Sequence, residues 1–145
     1  MASVDKTLFD RLGGKPTLEK VHKIFYDKCY AHPWLGKYFT HKPQEVLETQ
    51  QTDFMQNLMG GPNLYAGKTP KNAHQHINIS AELFTLRQQV LSESIKEAGI
   101  SDELREQWLA ADGKLQKALV KSSVKECVRA YEMQDILDFK KPATG

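Results

Sequence analysis

The sequence predicts an all-α fold, and two features of its apolar residues carry this prediction. Between the glycines and prolines that punctuate the chain, apolar residues recur at three- and four-residue steps, as on one face of an α-helix. No segment shows the apolar and polar alternation that is typical of a half-buried strand. The 145 residues fit one domain, large enough to bury roughly two-thirds of the surface that the unfolded chain would expose.

Composition and charge argue against several classes of function. No apolar run approaches the roughly 20 residues of a membrane span, and residues 1–6 lack the apolar core of a signal peptide, so we expect a cytoplasmic protein without a membrane span. The net charge of +2 comes from mixed acidic and basic residues rather than from a basic stripe, which argues against nucleic acid as a partner. Cys29 and Cys127 lack the spacing of zinc ligands and are predicted to be free thiols.

Two helices are predicted before Pro33. A glycine pair stops a short helix that contains Leu8 and Leu12, and Pro16 suits the first turn of a longer helix. The apolar face of this second helix comprises Leu18, Val21, Ile24, Phe25 and Cys29. Tyr26 lies at the edge of that face, where its ring is easily buried but its hydroxyl then needs a polar partner.

The third predicted helix starts near Pro43 and carries a polar residue within its apolar face. That face comprises Leu47, Gln51, Phe54, Met55 and Leu58. An unpaired amide in such a face would cost about 1–3 kcal/mol, so Gln51 should meet another polar group inside the fold. Periodicity equally allows a glutamine at the flank of the helix that reaches solvent.

A short segment, residues 71–79, contains His74 and His76 between a Gly/Pro-rich connection and a strongly apolar helix. The segment is too short to be a good helix by itself. A histidine that is held there by packing is well placed to ligate a group in an apolar cavity. The alternative is a surface histidine or one that is satisfied in the core, and spacing alone does not choose between them.

Two further helices and a tail complete the chain. Ser80 and Ser101 are the predicted N-caps of these helices. The first carries Leu83, Phe84, Val90, Leu91 and Ile95, and the second, the last long helix, carries Leu104, Trp108, Ala111, Leu115 and Leu119.

Four apolar helices with two misplaced polar residues and a loop histidine predict a cavity that encloses a ligand, because an empty cavity would be destabilising. We expect a domain over residues 1–121 and a C-terminal extension over 122–145 that is helical or partly disordered, folds back over the domain, or serves a partner.

The chain also contains a series of short motifs whose order and mutual spacing are distinctive. They are Leu12-Gly13-Gly14, Phe25-Tyr26-Asp27, Tyr38-Phe39, Gln50-Gln51 followed by Phe54, Gly60-Gly61-Pro62, Tyr65-x-Gly67-Lys68, and Ala73-His74 leading into Phe84. In this series the sequence resembles the truncated haemoglobins, most closely their first group, over approximately residues 8 to 120. The resemblance implies a truncated globin fold, a two-over-two helical sandwich around haem b (iron protoporphyrin IX).

The resemblance also implies roles for individual residues. His74 matches the proximal histidine that ligates the iron, and His76 then lies near the haem edge. Tyr26 and Gln51 match distal residues that can hydrogen-bond each other and bound dioxygen. The other cofactor-binding candidates are Leu47, Phe54, Phe84, Phe39, which would pack against the porphyrin face, and Lys68, which would pair with a haem propionate.

The function implied by the resemblance is dioxygen binding, with oxidation of nitric oxide to nitrate by family analogy. Leu47 and Gln50 leave no distal histidine in the third helix, so the sixth site on the iron should be open or filled by water. Nitric oxide would enter past Phe54, Met55 and Leu58. The chain has no GxGxxG nucleotide fingerprint, so a catalytic cycle would need an external reductase.

Other functions remain open at this point, because one fold hosts several roles. They include oxygen storage, peroxide chemistry, sulphide binding and gas sensing, in a monomer or weak dimer. A hypothesis from a different class is a haem-free helical interaction module with the tail as its binding surface. In that module His74 and His76 would be structural or a weak metal site, and Tyr26 and Gln51 would be satisfied by each other or by water.

Overall fold

The computed structural model describes residues 6–40 and 42–142, and its regular elements are helices. The α-helices are α1 Leu8–Leu12, α2 Lys15–Ala31, α3 Gln44–Leu58, α4 Pro70–His74, α5 Ala81–Glu97, α6 Asp102–Gly113 and α7 Gln116–Leu119, with 3-10 helices at Leu35–Phe39 and Val124–Glu126. Within the described ranges, β pairing is limited to two isolated bridges. The predicted all-α fold is confirmed.

The helix starts follow from local chemistry. The side-chain oxygens of Thr7, Thr69, Ser80 and Ser101 each accept a hydrogen bond from a backbone N–H in the first turn of α1, α4, α5 and α6. Pro16 lies in the first turn of α2, where its missing N–H costs nothing. The caps predicted at Ser80 and Ser101 are therefore confirmed.

Two helix pairs surround the core. Helix α2 packs against α3, α5 packs against α6, and α2 also contacts α5, which joins the two pairs. Phe25, Phe84 and Trp108 are among the large buried side chains of this core. No helix in the part of the chain that the structure describes is long and apolar enough to cross a membrane.

The buried face of α3 differs from the predicted one. Thr52, Met55 and Gln56 are buried, whereas Leu58 is 37% exposed. The burial of Thr52, Met55 and Gln56 follows the three- and four-residue steps of a helix, but one residue away from the predicted stripe. The prediction that Leu58 faces the interior is therefore wrong, and Gln51 lies at the flank of the buried stripe.

The last long helix is also shorter than predicted. Helix α6 ends at Gly113, a residue type that disfavours helix interiors, and a turn in which Leu115 N–H donates to the carbonyl of Asp112 (3.0 Å) precedes α7. Leu115 and Leu119 belong to this turn and to α7 rather than to one continuous helix.

The tail folds back over the domain, as one of the three alternatives allowed. After the 3-10 helix Val124–Glu126, Leu137 pairs with Ile77 in a parallel bridge. Phe139 O accepts a hydrogen bond from Trp34 Nε1 (2.8 Å), and the Phe139 ring lies edge-on to Tyr38. The apolar residues Cys127, Val128 and Tyr131 continue three- and four-residue steps from Val124. Residues 127–142 nevertheless contain no helix, so this spacing does not correspond to a helical face.

Candidate functional site

A large cavity lies between α2, α3, α4 and α5, and the tail contributes Leu137 to its wall. The space between the lining side chains, including the part open to solvent, measures about 1330 Å³. The cavity brings together eight of the nine residues singled out in the sequence: Tyr26, Phe39, Leu47, Gln51, Phe54, His74, His76 and Phe84. Lys68 is exposed and does not line it.

His74 is the last residue of α4, and its imidazole has a defined protonation state. Nδ1 lies 2.7 Å from the carbonyl oxygen of Pro70, one helical turn earlier. Because a carbonyl only accepts hydrogen bonds, Nδ1 carries the proton and Nε2 keeps its lone pair. Burial lowers the pKa of His74 to about 4, so the ring is neutral at pH 7 and can ligate a metal ion.

Tyr26 and Gln51 contribute polar groups to the cavity from α2 and α3. Tyr26 is only 7% exposed, and burial raises the pKa of its hydroxyl, which therefore keeps its proton. Among the described residues, neither side chain makes a hydrogen bond within the chain. The two groups therefore do not hydrogen-bond each other, although the haem-free module would require this bond if no water satisfied them. Both groups can donate hydrogen bonds to a ligand in the cavity.

The mouth of the cavity is cationic. His76 is buried, and its pKa is lowered by burial and by the ammonium groups of Lys42, Lys68 and Lys121. Lys42 lines the cavity itself, and the Tyr30 hydroxyl donates to its carbonyl (2.7 Å). Lys68 thus lies close enough to act electrostatically at His76 although it is outside the wall.

An ion pair that the sequence analysis missed reaches the cavity through Arg87, which is part of the lining. Arg87 of α5 forms two hydrogen bonds, of 2.7 and 2.9 Å, with the carboxylate of Asp112, which is fully buried. The guanidinium also lies 5.6 Å from the ring centroid of Phe25 and 5.8 Å from that of Phe84. The available signal was an arginine three residues after Phe84, on the same face of an apolar helix.

Of the three residues predicted to line an entry path for nitric oxide, one lies in the cavity wall. Phe54 lines the cavity and lies edge-on to Tyr65. Met55 is fully buried outside the lining, and Leu58 is exposed. Met55 and Leu58 are thus not part of the cavity lining, and their predicted role as walls of an entry path stays a prediction.

Comparison with known proteins decides the family. The model of the family described as Bacterial-like globin matches residues 7–141. The chain belongs to this globin family. Two relatives also place the globin in group 1 of the truncated haemoglobins. One, from Tetrahymena thermophila, is 35% identical over 98 residues, which cover 68% of this chain and 81% of the relative; the other, from Mycolicibacterium paratuberculosis, is 31% identical over 105 residues, covering 72% and 77%.

Solved structures of truncated haemoglobins share the fold of this globin. The Fe(III) form of the Tetrahymena pyriformis protein superposes with a TM-score of 0.75 at 28% identity, covering 79% of this chain and 98% of that one. A truncated haemoglobin of Chlamydomonas reinhardtii superposes with a TM-score of 0.68 at 30% identity, covering 81% and 98%. The predictions of a truncated haemoglobin of the first group and of a two-over-two globin fold are confirmed, and membership in the family supports a haem cofactor that binds small ligands.

A second buried polar cluster of the globin lies behind the cavity. His22 is 1% exposed, its Nδ1 shares a 2.7 Å hydrogen bond with Thr52 Oγ1, and its ring lies edge-on to Trp108. Burial, followed by the positive charge of Arg87, lowers the pKa of His22 to about 3. The sequence signal was a histidine four residues after Leu18 in the apolar face of α2.

Proposed function

We propose that this globin binds haem b in the cavity, with His74 as the iron ligand, and that it binds dioxygen beside Tyr26 and Gln51. The observation that carries the proposal is the hydrogen bond from His74 Nδ1 to Pro70, which leaves Nε2 as a neutral donor in a large and mostly apolar cavity. Relatives named as truncated haemoglobins, one of them in its Fe(III) form, support the same cofactor.

His74 would hold the cofactor through a well-oriented ring. The Pro70 carbonyl accepts a hydrogen bond from Nδ1–H, which fixes the ring orientation and makes the Nε2 lone pair a stronger ligand for a metal ion. Phe39 and Phe84 supply apolar walls for a flat macrocycle. Lys68 and Lys42 at the cationic mouth would neutralise the propionates, with His76 near the haem edge.

Tyr26 and Gln51 would hold the bound ligand. When bound, the haem supplies a ferrous iron that binds dioxygen reversibly. The Tyr26 hydroxyl keeps its proton and, like the Gln51 amide, makes no hydrogen bond within the described part of the chain, so both groups can donate to the ligand. Each donor would contribute about 1–3 kcal/mol, which slows release by roughly tenfold or more.

The proposed function also includes the oxidation of nitric oxide to nitrate. Nitric oxide, dioxygen and one electron combine to nitrate, and the haem would supply that electron and be left ferric. Donors that stabilise negative charge on the oxygen ligand, as Tyr26 and Gln51 can, favour this reaction. An external reductase would then restore the ferrous state, since the sequence has no GxGxxG fingerprint.

The proposal is tested by replacing the two cavity histidines separately. After reconstitution with haemin, the wild type should show a Soret band. We expect His74→Ala to lose the haem or to retain it only with added imidazole, because Nε2 is removed. His76→Ala is the matched control and should keep the ferrous and carbonmonoxy spectra of the wild type. A wild type without a Soret band would reject the proposal, and unchanged spectra in His74→Ala would reject His74 as the ligand.

A further inference from the structure

The backbone of the segment His74–Ile79 is held largely by residues far along the chain. Lys121 lies just after α7, and its Nζ donates to the carbonyl oxygen of His74 (3.0 Å) and to that of Ile77 (2.7 Å). The backbone N–H of Lys121 also donates to Ile79 O (2.8 Å). One residue thus makes three hydrogen bonds to a segment that begins with the cavity histidine.

The Lys121 ammonium lies at the C-terminal end of the short helix α4. The last carbonyls of a helix have no partner within it, and a cation near that end is favoured by the helix dipole. The His74 carbonyl is one of these groups, since α4 ends at His74. The Ile77 N–H also donates to the His74 carbonyl (3.0 Å), so the ammonium, which spans the carbonyls of His74 and Ile77, reinforces a turn that this backbone hydrogen bond closes.

The tail completes the support from a different direction. Leu137 N–H donates to His76 O (2.9 Å), and Asn78 N–H donates to Leu137 O (2.8 Å). These backbone bonds hold the middle of the segment but do not reach His74. Within residues 6–40 and 42–142, the side-chain hydrogen bond to the backbone of His74 comes from Lys121.

We propose that Lys121 is a positioning residue for His74, which orients the imidazole toward the cofactor through the backbone carbonyl. The inference rests on the proposed role of His74 as the iron ligand. A lysine that only secured the end of α7 would affect stability, whereas a positioning lysine also sets the strength and angle of the bond between iron and histidine. The two roles therefore differ in a spectroscopic readout.

The test compares Lys121→Met with Lys117→Met in the haem-reconstituted protein. Lys117 is exposed on α7 and makes no ion pair or side-chain hydrogen bond with the described residues. Lys117→Met therefore removes one positive charge, as Lys121→Met does, without removing a hydrogen bond. In Lys121→Met we expect the iron–histidine stretching band of the ferrous protein to shift or broaden. Haem transfer to apomyoglobin should become roughly fivefold faster or more, because two charged hydrogen bonds are lost. Lys121→Arg, which retains a cationic donor, should stay close to the wild type.

The possible outcomes separate the inference from the function on which it rests. If Lys121→Met and Lys117→Met share the band and transfer rate of the wild type, the inference is overturned. If the wild type has no iron–histidine band, the proposed function fails first. Should Lys121→Met not fold, Lys121→Gln, which keeps a neutral donor, takes its place; failure of both to fold while Lys117→Met folds would make the role one of stability and also overturn the inference.

Discussion

At the scale of single residues, Tyr26 and Gln51 present their polar groups to the cavity without a partner in the described chain. We expect Tyr26→Phe and Gln51→Leu each to speed dioxygen release by roughly ten- to a hundredfold, because each loses a donor in a pocket of low dielectric. Stopped-flow release rates measure the effect. Tyr131→Phe, at a side chain that is 64% exposed, is the control. Rates within twofold of wild type in both variants would mean that neither group touches the ligand.

His22 should make stability depend on pH. Its pKa falls from 6.5 to about 3 on folding, so between these values the unfolded chain binds a proton that folded His22 does not. The free energy of unfolding therefore falls as pH decreases through this window, by roughly 1.4 kcal/mol per unit. In urea unfolding across the same window, His22→Gln should lose stability less steeply than the wild type. Equal slopes would show that His22 is protonated in the folded protein.

Some functional residues could be identified from the sequence, whereas the polar residues that pair across helices could not. His74, Tyr26 and Gln51 stand out because they are polar residues among apolar ones. Each also belongs to one of the motifs that resemble a known family. Arg87 and His22 conflict with their helices in the same way, but periodicity assigns a face and not a partner. Their partners Asp112 and Thr52 lie on other helices, and only the tertiary packing brings them together.

At the scale of elements, the corner between α2 and the 3-10 helix Leu35–Phe39 depends on Gly36. A Cβ at this position would lie 2.6 Å from the carbonyl oxygen of Tyr30, a backbone atom that cannot move aside alone. Gly36→Ala should lower the free energy of unfolding by about 1–3 kcal/mol through overpacking. It should also disturb Phe39, whose ring stacks on that of Tyr30 at 5.2 Å.

The matched control for this corner is Gly113→Ala. A Cβ at Gly113 would meet only Gln88 Nε2 at 3.6 Å, an ordinary contact, and alanine favours a helix over glycine. Urea denaturation midpoints should therefore fall in Gly36→Ala and stay level or rise in Gly113→Ala. Equal midpoints in the two variants would show that the corner relaxes around an extra methyl group.

Element boundaries show where sequence patterns lose information. The starts of α5 and α6, capped by Ser80 and Ser101, were predictable because a cap is a local interaction. The break after Gly113 and the path of the tail were not, since both depend on contacts such as the bridge between Ile77 and Leu137. The apolar residues Cys127, Val128 and Tyr131 keep a helical spacing from Val124, although they lie in an irregular segment.

At the scale of the whole molecule, the proposed oxidation of nitric oxide requires that both gases react inside one cavity. Mixing the dioxygen-saturated ferrous protein with nitric oxide should give nitrate and ferric protein in equal amounts, faster than dioxygen is released, because reaction in place avoids the release step. Nitrate assay alongside the visible spectrum measures both products. The carbonmonoxy protein is the control and should form no nitrate before carbon monoxide leaves. Conversion no faster than dioxygen release would favour an oxygen store or sensor.

The contacts that hold the histidine segment also set an order of events during protein synthesis. Lys121 follows His74 by 47 residues, and Asp138, which accepts a hydrogen bond from Asn78 Nδ2, follows Asn78 by 60. At roughly 5–20 residues per second, the ribosome adds Asp138 about 3–12 s after Asn78. A nascent chain therefore has the cavity walls that α2, α3 and α5 supply well before it has Lys121, whereas Leu137 of the tail follows Lys121. We expect the cofactor to be captured in its final geometry only after residues 121–138 have been synthesised.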